Sequence, residues 1–236
     1  MAISTNPSIP YDSRIEATNA FFRGVYRWMT VGLILTAVTA HGVASSPEMI
    51  GTLYGSPFLL IGLILVELGL VVALTRGIGS MSMGAAMGMF VVYSLLNGVT
   101  LSAVLLVYTG ESVFSAFLTT AGMFGLMSVY GLYTRSNLSS WGSFLLMGLV
   151  GLIVATGVNI FVGSGTLDLA ISAIGVFVFL GLTAYDTQYL RNLSNEVDVE
   201  GVDDSGRKLV ILGALRLYLD FINLFLYLLR FMGKRR

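Results

Sequence analysis

The stretch LGALRLYLDFINLFLYLLRFMG, residues 212–233, is apolar and long enough to enter a lipid bilayer as a helix. Asp220 stands inside this stretch rather than at its edge. A carboxylate at such a depth costs about 3 kcal/mol on insertion scales, and it normally faces a bundle interior or a water-filled cavity. We therefore expect Asp220 to have a polar partner and a functional role.

The composition is that of an integral membrane protein. Of the 236 residues, 56% are hydrophobic and 11% are charged, whereas a soluble domain carries roughly 25% charged residues. Glycine is frequent, with 28 residues, and proline is rare, with 4. Small residues let membrane helices approach each other closely. Apolar runs of helical rather than strand length predict an all-α fold and argue against a β-barrel.

Residue types that are rare or missing exclude several kinds of site. The chain has no cysteine, which excludes disulfides and thiolate metal ligands. Its single histidine excludes a multi-histidine metal site. No phosphate-binding glycine motif and no GxGD protease motif occur, so we do not expect an enzyme. The acidic connection at 194–208 lacks the EF-hand pattern and is interpreted as a solvated loop. A formal net charge of zero gives no indication of a nucleic-acid partner.

Seven apolar segments are long enough to cross a hydrocarbon core of roughly 30 Å. Basic residues precede the first segment and occupy alternate connections, so the positive-inside rule predicts a cytoplasmic N-terminus. The seventh segment is followed by further basic residues, and whether it crosses or re-enters stays open. We expect a polar tail over 1–22, a membrane domain over 23–232 and a basic tail over 233–236. The segments are 25–44, 58–75, 83–108, 113–133, 141–162, 167–190 and 209–232.

Asp186 and Asp220 are predicted to lie at similar depth. Asp186 is near the end of the sixth segment and Asp220 lies a few turns into the seventh. At about 1.5 Å per residue, both carboxyls fall just inside the cytoplasmic mouth. Two carboxyls in a low-dielectric site should share a proton and titrate as a unit. The hypothesis is a proton-operated latch between two helices, and its oxygens also suit a transient Ca²⁺ ion. The alternative is that each aspartate bonds to hydroxyl or backbone groups and only positions its helix.

Three other polar residues are candidates for the same pathway. Glu67 lies in the middle of the second segment and is expected to be protonated, bonded to a neighbouring helix or facing water. Arg76 is either an ion partner for an aspartate or an interfacial anchor. Asn223 shares a helix face with Asp220 and is expected to form an interhelical hydrogen bond or to line an ion path.

Two parts of the sequence resemble one family. GLTAYDTQYL at 181–190, followed by LRLYLDFINLFLYLLRFMG at 215–233, resembles the last two helices of the Bax inhibitor-1 family, the transmembrane Bax inhibitor motif proteins. VELGLVVALTR at 66–76 is similar to the family's second-helix signature. The resemblance implies a bacterial member in which six helices surround a central seventh.

The function that the resemblance implies is a pH-sensitive Ca²⁺ leak in the bacterial inner membrane. Asp186, Asp220 and Arg76 would gate it, and Glu67 and Asn223 would line the ion path. Ca²⁺ is then the transported ion, no other cofactor is expected, and the partners are the lipid bilayer, H⁺ and Ca²⁺. The implied alternative is a regulator without transport that binds a membrane-bound ATP-dependent protease or protects against stress and cell death. Proton-coupled exchange is a third possibility. The sign of the pH dependence and the oligomeric state stay open.

Overall fold

The structure is a computed structural model that describes residues 11–196 and 204–236. Over these residues the chain forms eight α-helices, one short 3₁₀ helix and no β-sheet. Residues 197–203 of the acidic connection predicted at 194–208 and residues 1–10 of the polar tail lie outside the described residues, whereas residues 194–196 and 204–208 are helical and not part of a loop. The helices are α1 (Tyr11–Ala44), α2 (Pro47–Tyr54), α3 (Pro57–Gly77), α4 (Met83–Val107), α5 (Gly110–Tyr133), α6 (Gly142–Val162), α7 (Gly165–Glu196) and α8 (Asp204–Met232), with the 3₁₀ helix Leu138–Trp141 before α6.

Polar residues in the short connections set where several helices begin and end. Ser82 accepts a hydrogen bond from the backbone N–H of Ala85 at the start of α4. Thr109 does the same for Ser112 at the start of α5. These caps satisfy N–H groups that have no partner within the helix. Gly163 follows α6 with φ 66°, a left-handed conformation that ends the helix and favours glycine.

The helices confirm the all-α membrane class that the sequence predicts. Six of them, α3 to α8, are long and apolar enough to cross a membrane, and α1 with α2 makes a seventh candidate. The two helices of that pair are bent by 96° at the break between them. In the apolar part of α8, 61% of the residues are buried, against 33% or less in α3 to α7. The last helix is therefore the most buried one, and it packs against α1, α4, α5 and α7, whereas α3 and α6 pack on the outside against α4 and α7.

The structure also answers whether the last segment crosses the bundle. Helix α8 is continuous from Asp204 to Met232. Near its end, Arg230 lies 3.6 Å from Asp168, which stands in the first turn of α7. Because α7 runs from there to the connection that precedes α8, the two helices are antiparallel along their whole length. The last segment therefore crosses and does not turn back. We call the two ends of the bundle the α7–α8 end and the C-terminal end.

The helices pack closely around Tyr218 of α8 and between α1 and α4. Tyr218 is fully buried, and its ring meets Phe90 at 5.9 Å and Tyr93 at 5.8 Å between centroids, edge to face in both cases. Such edge-to-face pairs add stability beyond the burial of their area. At Gly98 of α4, an added Cβ would lie 2.6 Å from the backbone oxygen of Thr36 on α1. The α1–α4 contact therefore requires a residue without a side chain at this position.

Candidate functional site

An ion pair joins the central helix to α7. Nη1 of Arg216 on α8 lies 2.9 Å from Oδ1 of Asp186 on α7 and donates a hydrogen bond to it. The Asp186 side chain is 12% exposed and that of Arg216 is 33% exposed. The guanidinium also lies over the ring of Tyr189, 4.7 Å from its centroid. Such a charge-assisted bond is stronger than a neutral one, and this one fastens α8 to α7.

Asp220 lies beside this ion pair. The residue is 5% exposed, and its Oδ2 atom is buried without a hydrogen-bond partner. The charges of Asp186 and Arg216 both act on it. Arg216 and Asp220 are four residues apart on one helix, so they share a face. Nε of Arg216 is likewise buried without a partner. The structure thus brings both aspartates to one site, where a guanidinium accompanies them and no direct hydrogen bond joins them in the described chain.

Arg76 does not take part in this site. It is exposed near the end of α3, and no ion pair of the described residues includes it. The ion partner of Asp186 is Arg216 and not Arg76, which the sequence analysis considered for this role. The physical reason is helix geometry, because Arg216 sits one turn before Asp220 on the central helix while Arg76 lies on an outer helix. The exposure of Arg76 matches its alternative interpretation as an interfacial anchor.

Glu67 lies in a second polar cluster. It is buried on α3 and accepts a hydrogen bond of 2.6 Å from Oγ1 of Thr100 on α4. The amide of Asn97, also on α4, interacts with the same carboxyl. Of the three arrangements considered for Glu67, the structure therefore shows a bond to a neighbouring helix. Buried carboxyls need such partners, since an unpaired one is costly to bury.

The cluster continues to the central helix. The Tyr218 hydroxyl oxygen lies 3.0 Å from Oδ1 of Asn97 and 2.6 Å from Oγ1 of Thr36 on α1. Thr36 donates to the backbone oxygen of Ser94 at 2.9 Å. We call these six residues the polar chain: Glu67, Thr100, Asn97, Tyr218, Thr36 and Ser94. It crosses the bundle from α3 through α4 and α8 to α1.

Asn223 makes a different contact from the two that the sequence analysis considered. Its Nδ2 donates to the backbone oxygen of Leu219 at 2.8 Å, one turn earlier on α8. The side chain is half-buried. One of its two amide hydrogens is therefore used within its own helix. Among the described residues, no hydrogen bond joins the Asn223 side chain to another helix.

A group of contacts closes the C-terminal end of the bundle. Asp168 lies 3.6 Å from Arg230 and 3.7 Å from Arg235. The backbone of residues 234–236 pairs with that of residues 107–109, between α4 and α5. We call Asp168, Arg230, Arg235 and this backbone pairing the C-terminal clasp. It holds the end of α8 against three other helices.

Sequence reasoning missed Arg216, Tyr218 and Thr100. Arg216 stands in the apolar stretch 212–233, and its spacing of four residues from Asp220 was a usable signal. Tyr218 and Thr100 gave no such signal, because aromatic and hydroxyl residues are common in membrane helices. Among the residues described, no group of three or more His, Cys, Asp or Glu side chains could hold a metal ion.

The chain is similar in sequence to known proteins. The sequence profile of the family described as "Inhibitor of apoptosis-promoting Bax1" matches residues 18–236. The inner membrane protein YbhL of Escherichia coli K12 is 49% identical over 212 residues, which cover 90% of each chain. An uncharacterized protein of Deinococcus radiodurans is 43% identical over 94% of this chain and 93% of its own. The uncharacterized protein RP147 of Rickettsia prowazekii is 41% identical over 94% and 92%. None of these three is named for an enzymatic activity.

Proposed function

We propose, from the premise that this integral membrane protein belongs to the Bax inhibitor-1 family, that it is a pH-sensitive leak pathway for Ca²⁺. The bacterial inner membrane is the proposed location, because the E. coli relative is named as an inner membrane protein. The α7–α8 end would then face the cytoplasm, as the distribution of basic residues predicts. The observation that carries the proposal is the Asp186–Arg216 ion pair beside the unpaired oxygen of Asp220.

The charges of this site give the gating mechanism. Two carboxyls, one guanidinium and one proton together carry no net charge, which suits a buried site. With the proton on Asp220, Arg216 remains bound to Asp186 and holds α7 against α8. Without the proton, Asp220 offers Arg216 a carboxylate on its own helix, four residues away. The unpartnered Nε of Arg216 is free to donate to it. The guanidinium is then divided between two acceptors, and the bond between the helices weakens.

The sign of the pH dependence follows from this exchange. Raising the pH removes the proton, weakens the α7–α8 ion pair and opens that end of the bundle. Ca²⁺ is a hard cation that prefers carboxylate oxygens, and the guanidinium repels it while it occupies the site. Ca²⁺ would therefore reach Asp186 and Asp220 only after Arg216 has moved. Flux is expected to increase as the pH rises.

The test is Ca²⁺ flux into liposomes that contain the purified protein, measured across a range of pH. Asp220→Asn imitates the protonated form, so we expect low flux that no longer responds to pH. Asp186→Asn removes the negative charge that holds Arg216 against α7, so we expect high flux at every pH. Glu111→Gln, which neutralises an exposed carboxylate at the far end of the bundle, is the matched control.

Two results would contradict the proposal. The first is wild-type flux with wild-type pH dependence in both aspartate variants. The second is no flux in any preparation together with capture of a membrane-bound protease, which would favour the regulatory alternative. A flux that falls as the pH rises would contradict the sign and would place the proton in the open state.

A further inference from the structure

The polar chain carries an inference that is independent of the aspartate site. We propose that Asn97 and Tyr218 are positioning residues through which the charge on Glu67 controls the contacts of the central helix. The polar chain holds one carboxyl, one amide and several hydroxyls, with hydrogen bonds from Thr100 to Glu67, between Tyr218 and Asn97 and between Tyr218 and Thr36, and the amide of Asn97 acts on the Glu67 carboxyl. It also joins α8 to three of the helices around it. The mechanism follows from counting the hydrogens in this chain.

The first hydrogen arrangement fits a protonated Glu67. A hydroxyl has one hydrogen to donate, whereas a side-chain amide has donors on nitrogen and an acceptor on oxygen. When Thr36 donates to the Ser94 carbonyl, the hydrogen in the short Thr36–Tyr218 bond must come from Tyr218. Tyr218 then accepts from the nitrogen of Asn97. The amide oxygen of Asn97 faces Glu67, and it needs a donor there, which a protonated carboxyl provides.

The second arrangement fits an ionised Glu67. Here Tyr218 donates to the oxygen of Asn97, and the amide nitrogen faces the carboxylate and donates to it. The hydrogen of the Thr36–Tyr218 bond now comes from Thr36. Thr36 therefore no longer donates to Ser94. Both arrangements use the same heavy-atom positions, and they differ by one proton on Glu67 and a half-turn of one amide.

The consequence falls on the contact between α1 and α4. The Thr36–Ser94 hydrogen bond crosses this contact. Gly98 lies one turn away, where α1 and α4 are so close that no Cβ fits. Protonation of Glu67 on α3 therefore adds a bond between α1 and α4, and ionisation transfers that hydrogen to the central helix.

The surroundings of Glu67 indicate that its protonation selects between the two hydrogen arrangements. The titratable groups that face it are Tyr93 on α4 and Tyr218 on α8. Within residues 11–196 and 204–236, no Lys, Arg or His pairs with it. No fixed positive charge therefore competes with the proton. Tyr93 belongs to no bond of the polar chain, so it also provides a matched control for Tyr218.

The test is infrared difference spectroscopy of the intact protein between two pH values, with isotope-labelled tyrosine. We expect the carboxyl band of protonated Glu67, identified by its loss in Glu67→Gln, to change together with a tyrosine band. Tyr218→Phe, which keeps the ring, should abolish the part of the tyrosine signal that is also lost in Glu67→Gln, and it should leave the carboxyl band. Tyr93→Phe should keep both bands.

A second variant addresses the other end of the chain. Thr36→Val removes the hydroxyl and keeps the shape, so we expect the pH midpoint of the Glu67 band to move. Thr30→Val, which removes an exposed hydroxyl bonded to its own helix, should leave the midpoint unchanged. The proposal is overturned if Glu67→Gln removes no part of the tyrosine signal, if the Glu67-dependent part survives in Tyr218→Phe, or if Thr36→Val leaves the midpoint unchanged.

Discussion

Replacement of Asp186 by Asn tests how much of the α7–α8 contact rests on one ion pair. The change removes the charge and keeps the size of the side chain. Removing one partner of a fully buried pair costs about 3–5 kcal/mol, whereas exposed pairs contribute about 0–1 kcal/mol. With 12% exposure on one side chain and 33% on the other, this pair lies between the two classes. We take its loss as about 2 kcal/mol. At 1.4 kcal/mol per factor of ten, separated conformers should increase about 30-fold.

The distance between α7 and α8 is the quantity to measure. Because the chain has no cysteine, spin labels can be attached at introduced cysteines without removing any native one. Asn192 on α7 and Arg207 on α8 are exposed at the α7–α8 end and suit this purpose. Pulsed electron spin resonance on the labelled pair then gives the distribution of distances. We expect a longer distance to appear in Asp186→Asn at a pH where the wild type has mainly the shorter one.

The control for this measurement is Asp168→Asn. That change also removes a carboxylate from α7, but at the C-terminal end, and it should leave the labelled distance unchanged. The reasoning is refuted if Asp186→Asn and the wild type give the same distribution at every pH. It is also refuted if the Asp168 variant separates the helices at the α7–α8 end equally well.

Three further variants test other contacts. Gly98→Ala places a methyl group against the backbone of α1 and should lower the free energy of unfolding by about 1–3 kcal/mol. Thermal unfolding in detergent measures this loss. Gly151→Ala, which has open space around the added methyl group, is the control and should lower the free energy of unfolding much less. Asp168→Asn removes two long and partly exposed ion pairs that together contribute about 1 kcal/mol. Backbone hydrogen exchange of residues 233–236 should therefore become about fivefold faster. In the control variant Glu111→Gln, the exchange rate of these residues should not change. Arg216→Lys keeps the charge but loses the planar guanidinium, and its pulsed-resonance distances should fall between those of the wild type and of Asp186→Asn.

The course of the chain was predictable because hydropathy alone decides it. Most ends of the apolar segments agree with the helices of the structure to within about six residues, since the length of a membrane span is set by bilayer thickness. The exception is α1, which begins at Tyr11, 14 residues before the predicted segment. Helix α2 was not predicted. It has eight residues, which is too short to cross a membrane, and its start after Ser46 is a local capping effect.

The candidate site was only partly readable. The depth of Asp186 and Asp220 follows from their positions in two antiparallel segments. The partner of Asp186 depends on how α8 is rotated about its axis, and a sequence does not fix that rotation. The polar chain depends on the same rotation, because Tyr218 meets Asn97 and Thr36 only when one face of α8 points towards α1 and α4.

The central position of α8 has a consequence for biogenesis. Helix α8, the most buried helix, follows all seven others in chain order. It is therefore synthesised and inserted into the membrane after the helices that pack against it. Until then Asn97 and Asp186 lack their partners on α8. The earlier helices must therefore either stay apart or enclose a temporary space that water or lipid fills. Integration of this protein into the membrane thus ends with its centre, and a defect in α8 would leave a hollow and incompletely assembled bundle for quality-control proteases to recognise.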